Sequence, residues 1–202
     1  MNVRIRHDMS FSAGIHYADQ YQINHYTLRL WMTTNHPDPA AHNVALERVK
    51  YFVYNKLDSC VFINNTQVEQ CQKYMTAGLR ITSVPADPVD QIVGIMLYYK
   101  LNSIMEEHMI VVETELTSVL GDNIVYLHSD NEFVDSSIMS DWWHSADLTH
   151  CDQHLLESDK VLTIPKVSAW RDLDLVWPEY ESHNDSVGNV VVFADFKNND
   201  TD

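Results

Sequence analysis

The N-terminal part of the chain alternates apolar and polar residues, and this alternation predicts two β-strands. In the first strand the apolar positions are Val3, Ile5, Met9, Phe11 and Ala13. In the second strand, from Gln22 to Thr33, they are Tyr26, Leu28, Leu30 and Met32. A period of two is typical of half-buried strands, so we expect an antiparallel hairpin that turns around Asp19-Gln20. Gly14 is expected to form a bulge or bend in the first strand.

Two later segments place apolar residues at three- and four-residue spacing, which predicts helices. The first has Asp38 as its N-cap and Pro39 at its first position, and it ends near Leu57. Its apolar stripe consists of Leu46, Val49, Val53 and Leu57. The second is opened by Asp87-Pro88 and runs through Tyr99. Its buried face is predicted to contain Val89, Ile92, Val93, Met96, Leu97 and Leu101.

Short apolar runs complete the pattern. They are Val61 to Ile63 before a turn, and the predicted strands Leu79 to Val84, Met109 to Thr117 and Asn123 to Leu127. The last two are expected to pair around Gly121-Asp122. Residues 1–128 therefore follow the order strand, strand, helix, connecting region, helix, strand, strand. This order predicts an α+β fold in which two helices cover one face of an antiparallel sheet.

Acidic residues are concentrated in the last third of the chain. Residues 1–129 carry 13 acidic and 9 basic side chains, whereas residues 130–202 carry 16 acidic and 4 basic ones. We therefore divide the chain into a domain of residues 1–128 and an acidic C-terminal extension of residues 129–202 that packs on the core. A surface of this sign excludes nucleic acid as a partner. It either keeps the protein solvated or binds a basic partner.

The remaining composition bears on location. No stretch approaches the roughly 18 consecutive apolar residues of a transmembrane helix, so no membrane partner is expected. The N-terminus lacks the apolar core of a signal peptide. The three cysteines, Cys60, Cys71 and Cys151, are odd in number and widely spaced, which favours a reducing compartment. The expected location is the cytoplasm.

One carboxylate stands out within a predicted strand. Val111-Val112-Glu113-Thr114 ends an apolar run on Glu113, and burying a carboxylate is costly unless something donates hydrogen bonds to it. A ligand with paired N–H donors, such as the amidine edge of a guanine or pterin ring, would meet that need. The alternative is a glutamate on an edge strand that faces water.

Five segments in order carry a resemblance to a known family. They are Met9 to His16, Asn24 to Leu30, Lys56 to Asn64, Pro85 to Gly94, and Val112 to Thr114 with Tyr126. They resemble the F-x-F-x-A-A-H, H-G-H, L-D-H-x-x-L-N, P-T-x-E-N and E-T…Y motifs of the 6-pyruvoyl-tetrahydropterin synthase family, which includes the 6-carboxy-tetrahydropterin synthases. The resemblance covers about residues 5–128. It implies the tunnelling fold and a homo-oligomer, and it gives Glu113 and Thr114 as ligand-binding residues.

The chain departs from the family at the metal site and at the reacting groups. The family binds zinc with three histidines, and the resemblance keeps only His16 and His25, with Ile23 in place of the third. Since a bulge at Gly14 would be needed to turn His16 to the ligand side, zinc is only a candidate cofactor. The alternative is a pair of hydrogen-bonded strand histidines.

The family's Asp-His pair becomes Asp58-Ser59, and its reactive cysteine has no counterpart. Asp58 is therefore a candidate catalytic residue or, alternatively, a residue that ends the helix. Compared with the family, the ligand-binding residues are better preserved in this chain than the residues that take part in the reaction.

The extension has features of its own. His144, His150, Cys151 and His154 form either a second candidate metal site or a polar loop, because their spacing matches no standard zinc finger. Its tryptophans, Trp142, Trp143, Trp170 and Trp177, are expected to pack on the core or on a neighbouring subunit. Val187 to Phe196 is a predicted strand, followed by a frayed tail from Lys197 to Asp202.

Two functions remain open. The first is a divergent family member that binds a pterin- or purine-type ring through Glu113, with altered or lost zinc-lyase chemistry. The alternative is a non-catalytic oligomeric protein that binds a partner through its acidic extension. Whether the chain is an enzyme stays open; if it is, the resemblance implies a pterin-type carbon–oxygen lyase.

Overall fold

The sheet and its helices account for most of the described chain. The computed structural model describes residues 4–34, 37–129, 141–148 and 169–178. The strands are β1 (Arg4–Tyr17), β2 (Gln20–Thr34), β3 (Val61–Asn64), β4 (Ile81–Val84), β5 (Met109–Ser118) and β6 (Tyr126–Ser129). The helices are α1 (Pro39–Tyr51), continued by a π-helical segment (Phe52–Leu57), then α2 (Val68–Thr76) and α3 (Asp90–Met105). The predicted α+β class is confirmed.

All six strands belong to one sheet, in the order β4-β3-β1-β2-β5-β6. The strands β1, β2, β5 and β6 pair with one another in antiparallel fashion, as the sequence pattern predicts. The short strands β3 and β4 are added in parallel beside β1. Parallel neighbours need a crossover connection, and here α2 lies between β3 and β4 in sequence.

The β1–β2 hairpin forms the centre of the sheet. Its turn lies at Ala18 and Asp19, whose φ angles of 49° and 60° suit the tight turns that match the twist of a hairpin. The predicted bulge at Gly14 is wrong, because the β1–β2 register is unbroken from Arg4 to Tyr17. Glycine serves another purpose here, since a Cβ at Gly14 would lie 2.5 Å from Cε2 of Tyr21.

The start of α1 agrees with the prediction. The backbone N–H of Ala40 donates to Oδ1 of Asp38 at 2.8 Å, so Asp38 is the N-cap, and Pro39 is the first helical residue. The α-helix ends at Tyr51, but the chain stays helical through Leu57 as a π-helical segment. Val49, Val53 and Leu57 are fully buried against the sheet and α3.

The start of α3 differs from the prediction. Asp87 does not cap the helix, which begins at Asp90 without a side-chain cap; instead, Asp87 accepts a hydrogen bond from Asn64 Nδ2 at 3.1 Å. Val89 was predicted to be buried but is 45% exposed, since it precedes the helix. The rest of α3 is buried on nearly every side, because Trp142 and Trp143 pack with it in the core.

The sequence pattern did not predict α2. Its apolar residues Val68, Cys71 and Met75 do recur at three- and four-residue spacing, but the helix has only nine residues and Cys71 is its one buried residue. Cys71 packs with Val61, Ile63 and Ile81, on the face of the sheet opposite α1 and α3. This helix therefore covers the β3–β4 end of the second face.

Two buried cations contact the described parts of the C-terminal extension. Lys100 Nζ, on α3, donates to the carbonyl oxygens of Trp142, Ser145 and Asp147 at 3.0, 2.7 and 2.7 Å. Arg48 Nε, on α1, donates to the carbonyl oxygen of Leu175 at 2.8 Å. Its guanidinium carbon lies 3.9 Å from the ring centroid of Trp177 and 4.9 Å from that of Trp170.

Some predictions about the extension stay untested. The boundary at residues 128/129 remains a prediction. The predicted strand from Val187 to Phe196, the tail from Lys197 to Asp202, and His150, Cys151 and His154 lie outside the described residues. In the described segments, no helix is long and apolar enough to span a membrane.

Candidate functional site

The predicted site residues lie mainly on one surface, the open face. We define it as the face of the sheet turned away from α1 and α3, formed by alternate residues of β1, β2 and β5. It carries Ser12 and His16 from β1, His25 and Trp31 from β2, and Glu113 from β5. Away from the end that α2 covers, it reaches solvent: His25 is exposed, and Ile23 is 60% exposed.

A bulge in β5 places Glu113 on this face. Trp31 pairs with Glu113 and Met32 pairs with Val111, so Val112 is an extra residue in β5. Before the bulge, the odd-numbered Met109 and Val111 point into the core; after it, the even-numbered Thr114 does. Without the extra residue, Glu113 would follow Val111 into the core. Because of the bulge, this carboxylate is not buried in the core, where an unpaired charge would destabilise the fold.

The Glu113 side chain is consequently half-buried rather than buried. Its strand β5 is not an edge strand, since β6 forms the edge of the sheet. Within the described parts of the chain, no hydrogen bond or ion pair reaches its carboxylate. Its neighbour Glu115 differs, because it accepts hydrogen bonds from Arg29 Nη1 and from Trp31 Nε1. Glu113 is therefore available to a ligand, whereas Glu115 is engaged by the protein.

Thr114 does not share the open face with Glu113. Its side chain is fully buried on the core side of β5, and its hydroxyl has no hydrogen-bond partner among the described residues. Its predicted role in ligand binding remains untested, but its side chain does not lie beside the Glu113 carboxylate.

A polar groove lies at the other end of the open face. It has a volume of about 310 Å³ and is lined by Ser10, Phe11, Ser12, His25, Tyr26, Thr27, Asp58, Thr117, Val119 and Asn123. Ser12 Oγ and His25 Nδ1 are hydrogen-bonded at 2.7 Å. The Ser12 backbone N–H donates to Asp58 Oδ1 at 2.9 Å. The groove therefore offers an imidazole, a carboxylate and several hydroxyls to a small polar ligand.

Asp58 ends the helical segment and also lines the groove. It directly follows the π-helical segment, and its backbone N–H donates to the carbonyl oxygen of Val53 at 2.9 Å. Its carboxylate also reaches the groove through Ser12. A catalytic role for Asp58 remains a prediction.

The two histidines share the open face but are separated along it. In the β1–β2 register, His25 lies opposite Ser12 and His16 lies opposite Tyr21, four positions away. At roughly 3.3 Å per residue, this separation is about 13 Å. His16 is buried under α2, with Nδ1 2.9 Å from the Tyr74 hydroxyl. The chain therefore does not bring His16 and His25 to one metal ion.

The described ranges contain no group of three or more His, Cys, Asp or Glu that could hold a metal ion. The groove supplies only His25 and Asp58 of these residue types. A zinc site of the predicted kind does not fit this pair alone, because structural and catalytic zinc sites use at least three protein ligands. The zinc prediction stays untested.

Glu113 and the groove are also far apart. Six positions on β2 separate His25 from Trp31, which lies opposite Glu113. At roughly 3.3 Å per residue, the distance is about 20 Å. A single ring of pterin size cannot contact both within one chain.

Sequence reasoning missed Ser12, Thr27, Thr117 and Trp31 as residues of this surface. The signal was present for the first two, because strict alternation places Ser12 and Thr27 opposite the apolar faces of their strands. The same alternation in β2 places Trp31 on this surface, whereas Thr117 could have been placed only with the β2–β5 register, which the bulge at Val112 sets.

Comparisons with known proteins gave matches among solved structures. No family model matches the chain, and no curated protein matches it. An uncharacterized protein from Wolinella succinogenes is similar at 10% identity and a TM-score of 0.48, over 65% of this chain and 99% of that one. The 6-pyruvoyl tetrahydropterin synthase of Plasmodium falciparum is similar at 13% identity and a TM-score of 0.41, over 63% and 96% of the two chains.

The enzyme of the same name from Plasmodium vivax is similar at 10% identity and a TM-score of 0.44, over 65% of this chain and 99% of that one. These solved structures include enzymes of the 6-pyruvoyl-tetrahydropterin synthase family that the sequence resembles. Which ligand the chain binds is argued below from its own side chains.

Proposed function

We propose that this chain binds a planar nitrogen heterocycle of the pterin or purine type on the open face of its sheet, anchored by Glu113. The observation that carries the proposal is the half-buried Glu113 carboxylate, which no described residue engages. A carboxylate accepts two parallel N–H bonds from a group with adjacent donors. The amidine edge of a pterin or guanine ring presents such a pair.

The position of the carboxylate supports the same proposal. The bulge at Val112 turns Glu113 out of the core, and bulges recur beside functional sites because they re-aim a side chain. A solvated glutamate with no role would not need a bulge that turns it out between two paired strands. The strand to either side restricts the approach to a flat ligand lying along the open face.

Glu113 and the groove are separated by about 20 Å along β2, at roughly 3.3 Å per residue. This separation leads to the second part of the proposal, a homo-oligomer. A ring anchored on Glu113 of one chain would meet the His25–Asp58 groove only if a second copy supplied that groove. We therefore include a homo-oligomer in the proposal, with the ligand at a subunit interface. The zinc-lyase chemistry is altered or lost, because Ile23 occupies the place of one histidine and Ser59 that of another.

The alternative function, partner binding through the acidic extension, is not favoured. The described tryptophans of that extension are engaged by the core: Trp142 and Trp143 are buried in it, and Trp170 and Trp177 pack on Arg48. They are therefore not available as a binding surface in this conformation.

The test is a calorimetric or fluorescence titration of the full chain with pterin at neutral pH. Glu113→Gln keeps the shape of the side chain but removes the charge and one acceptor. Since hydrogen bonds to charged groups contribute about 1.5–3 kcal/mol, we expect affinity to fall at least roughly tenfold. Glu107→Gln, at an exposed position in the turn after α3, removes the same charge and should bind like the wild type.

Equal binding by the two variants, or no binding by the wild type, would overturn the proposal. Native mass spectrometry of protein purified without added ligand or metal tests the oligomer separately. A monomer would remove the second copy from the proposal and leave Glu113 as a site within one chain.

A further inference from the structure

An aromatic ring lies directly beside the Glu113 carboxylate. Trp31 on β2 is the cross-strand partner of Glu113 on β5, and both side chains point to the open face. Directly opposed residues have Cβ atoms about 4.5–5.5 Å apart. A flat ligand whose edge is bound by Glu113 would therefore extend over or alongside the indole of Trp31.

The Trp31 ring is held in a fixed orientation. Its Nε1 donates to Glu115 Oε1 at 3.2 Å, and the other oxygen of Glu115 accepts from Arg29. Glu115, itself held by Arg29, thus orients the indole before any ligand arrives. A preorganised ring loses little freedom on binding, which makes it a good stacking platform.

A planar group already lies against this ring. The guanidinium carbon of Arg6 is 5.8 Å from the ring centroid of Trp31. The Arg6 side chain is 49% exposed and pairs with Asp8. Its position indicates that one face of the indole can be reached from solvent by a flat, nitrogen-rich group.

We propose that Trp31 stacks on the ligand and selects fused bicyclic rings over single rings. This inference rests on the proposed function and adds the specificity of the same site. Glu113 recognises the amidine edge, which a monocycle and a bicycle share. Trp31 contacts the area of the ring system, which only the bicycle supplies in full. Trp31 is thus a specificity-determining residue.

The experiment compares pterin with isocytosine, a single ring that carries the same 2-amino-4-oxo amidine edge. Because the single ring of isocytosine gains only part of the stacking contact, we expect the wild type to prefer pterin by roughly tenfold. Trp31→Ala should bring the two affinities within about twofold of each other by weakening pterin more than isocytosine. Trp31→Phe should keep part of the preference. Thr33→Ala, the next outward-facing position on β2, should leave it unchanged.

A second readout separates stacking from a structural role. Stacking should lower the absorbance of bound pterin with the wild type and with Thr33→Ala, but not with Trp31→Ala. Circular dichroism checks that each variant is folded; if Trp31→Ala does not fold, Trp31→Phe carries the comparison, with a smaller preference than the wild type.

The possible results distinguish a failure of the stacking inference from a failure of the proposed function. If Glu113→Gln loses both ligands while Trp31→Ala keeps the full preference for pterin, the stacking inference is overturned and the proposed function stands. If the wild type binds neither ligand, or if Glu113→Gln binds both normally, the proposed function itself fails.

Discussion

Lys100 provides the sharpest test of how the C-terminal segment is attached to the core. Its side chain is fully buried, and burial lowers the pKa of its ammonium group from 10.5 to about 8, an effect that Asp147 partly opposes. The three carbonyl oxygens of residues 142–147 stabilise the charged form but do not restore its full hydration. The folded protein therefore binds this proton less tightly than the unfolded chain does.

The sign of the pH dependence follows from this difference. Between about pH 8 and pH 10.5, the unfolded chain still holds the proton that the folded protein has released. Stability therefore rises with pH in this window, by about 1.4 kcal/mol per pH unit for one proton. The shift from 10.5 to about 8 corresponds to a gain of about 3 kcal/mol across the window.

The perturbation is Lys100→Met, which removes the titrating group and keeps the length of the side chain. Urea unfolding at a series of pH values from neutral to pH 10.5 gives the free energy of unfolding of each protein. Relative to the variant, the wild type should gain about 3 kcal/mol between pH 7 and pH 10.5. Subtracting the two curves cancels the tyrosines and the other lysines.

Lys50→Met is the matched control, because Lys50 pairs with Glu47 on the exposed side of α1. Its difference curve should stay nearly flat over the same range. A flat or falling difference curve for Lys100→Met would show that the lysine keeps its ordinary pKa, and the reasoning about its burial would fail.

Two further predictions concern the helices. Asp38→Ala should lower the free energy of unfolding by about 1 kcal/mol through loss of the α1 cap, measured by urea unfolding, whereas Asp38→Asn should retain most of it. Arg48→Met should cost about 2–4 kcal/mol, because it leaves the Leu175 carbonyl unpaired and removes the bond to Glu106. Intrinsic tryptophan fluorescence should change in that variant, because Trp170 and Trp177 lose their contact with the Arg48 guanidinium, and an unchanged emission spectrum would contradict this expectation.

Local chemistry explains which elements could be predicted from the sequence. The alternation in β2 and the Asp38-Pro39 start of α1 depend only on nearby residues, and both are present as expected. The same local argument failed at Asp87-Pro88. There Asp87 accepts a hydrogen bond from Asn64, a residue distant in sequence. A tertiary contact of this kind leaves no pattern in the neighbouring sequence.

The candidate site likewise combines features that local sequence predicts with features that tertiary contacts set. That Glu113 and Thr114 follow an apolar strand is visible in the sequence, but which of them faces the core depends on the extra residue at Val112. The core-facing positions change from odd-numbered, in Met109-Val111, to even-numbered, in Thr114-Leu116. This change marks the bulge, and it can be recognised only by comparing both halves of the strand. The contact between Ser12 and Asp58 joins residues 46 positions apart, and the alternation pattern contains no information about it.

The geometry of the open face limits what a single chain can do. His25 lies on the face through the alternation of β2, and Glu113 lies there because of the bulge at Val112, yet the β2–β5 register places them at opposite ends of it. Between them, Arg29 bridges Asp8 and Glu115, so the centre of the face is occupied by paired charges. A ring bound at Glu113 therefore has the Trp31 indole, and not the His25 imidazole, as its neighbour within the chain. Under the proposed function, ligand recognition at Glu113 and any proton transfer at His25 would therefore require a second copy of the chain to bring them together.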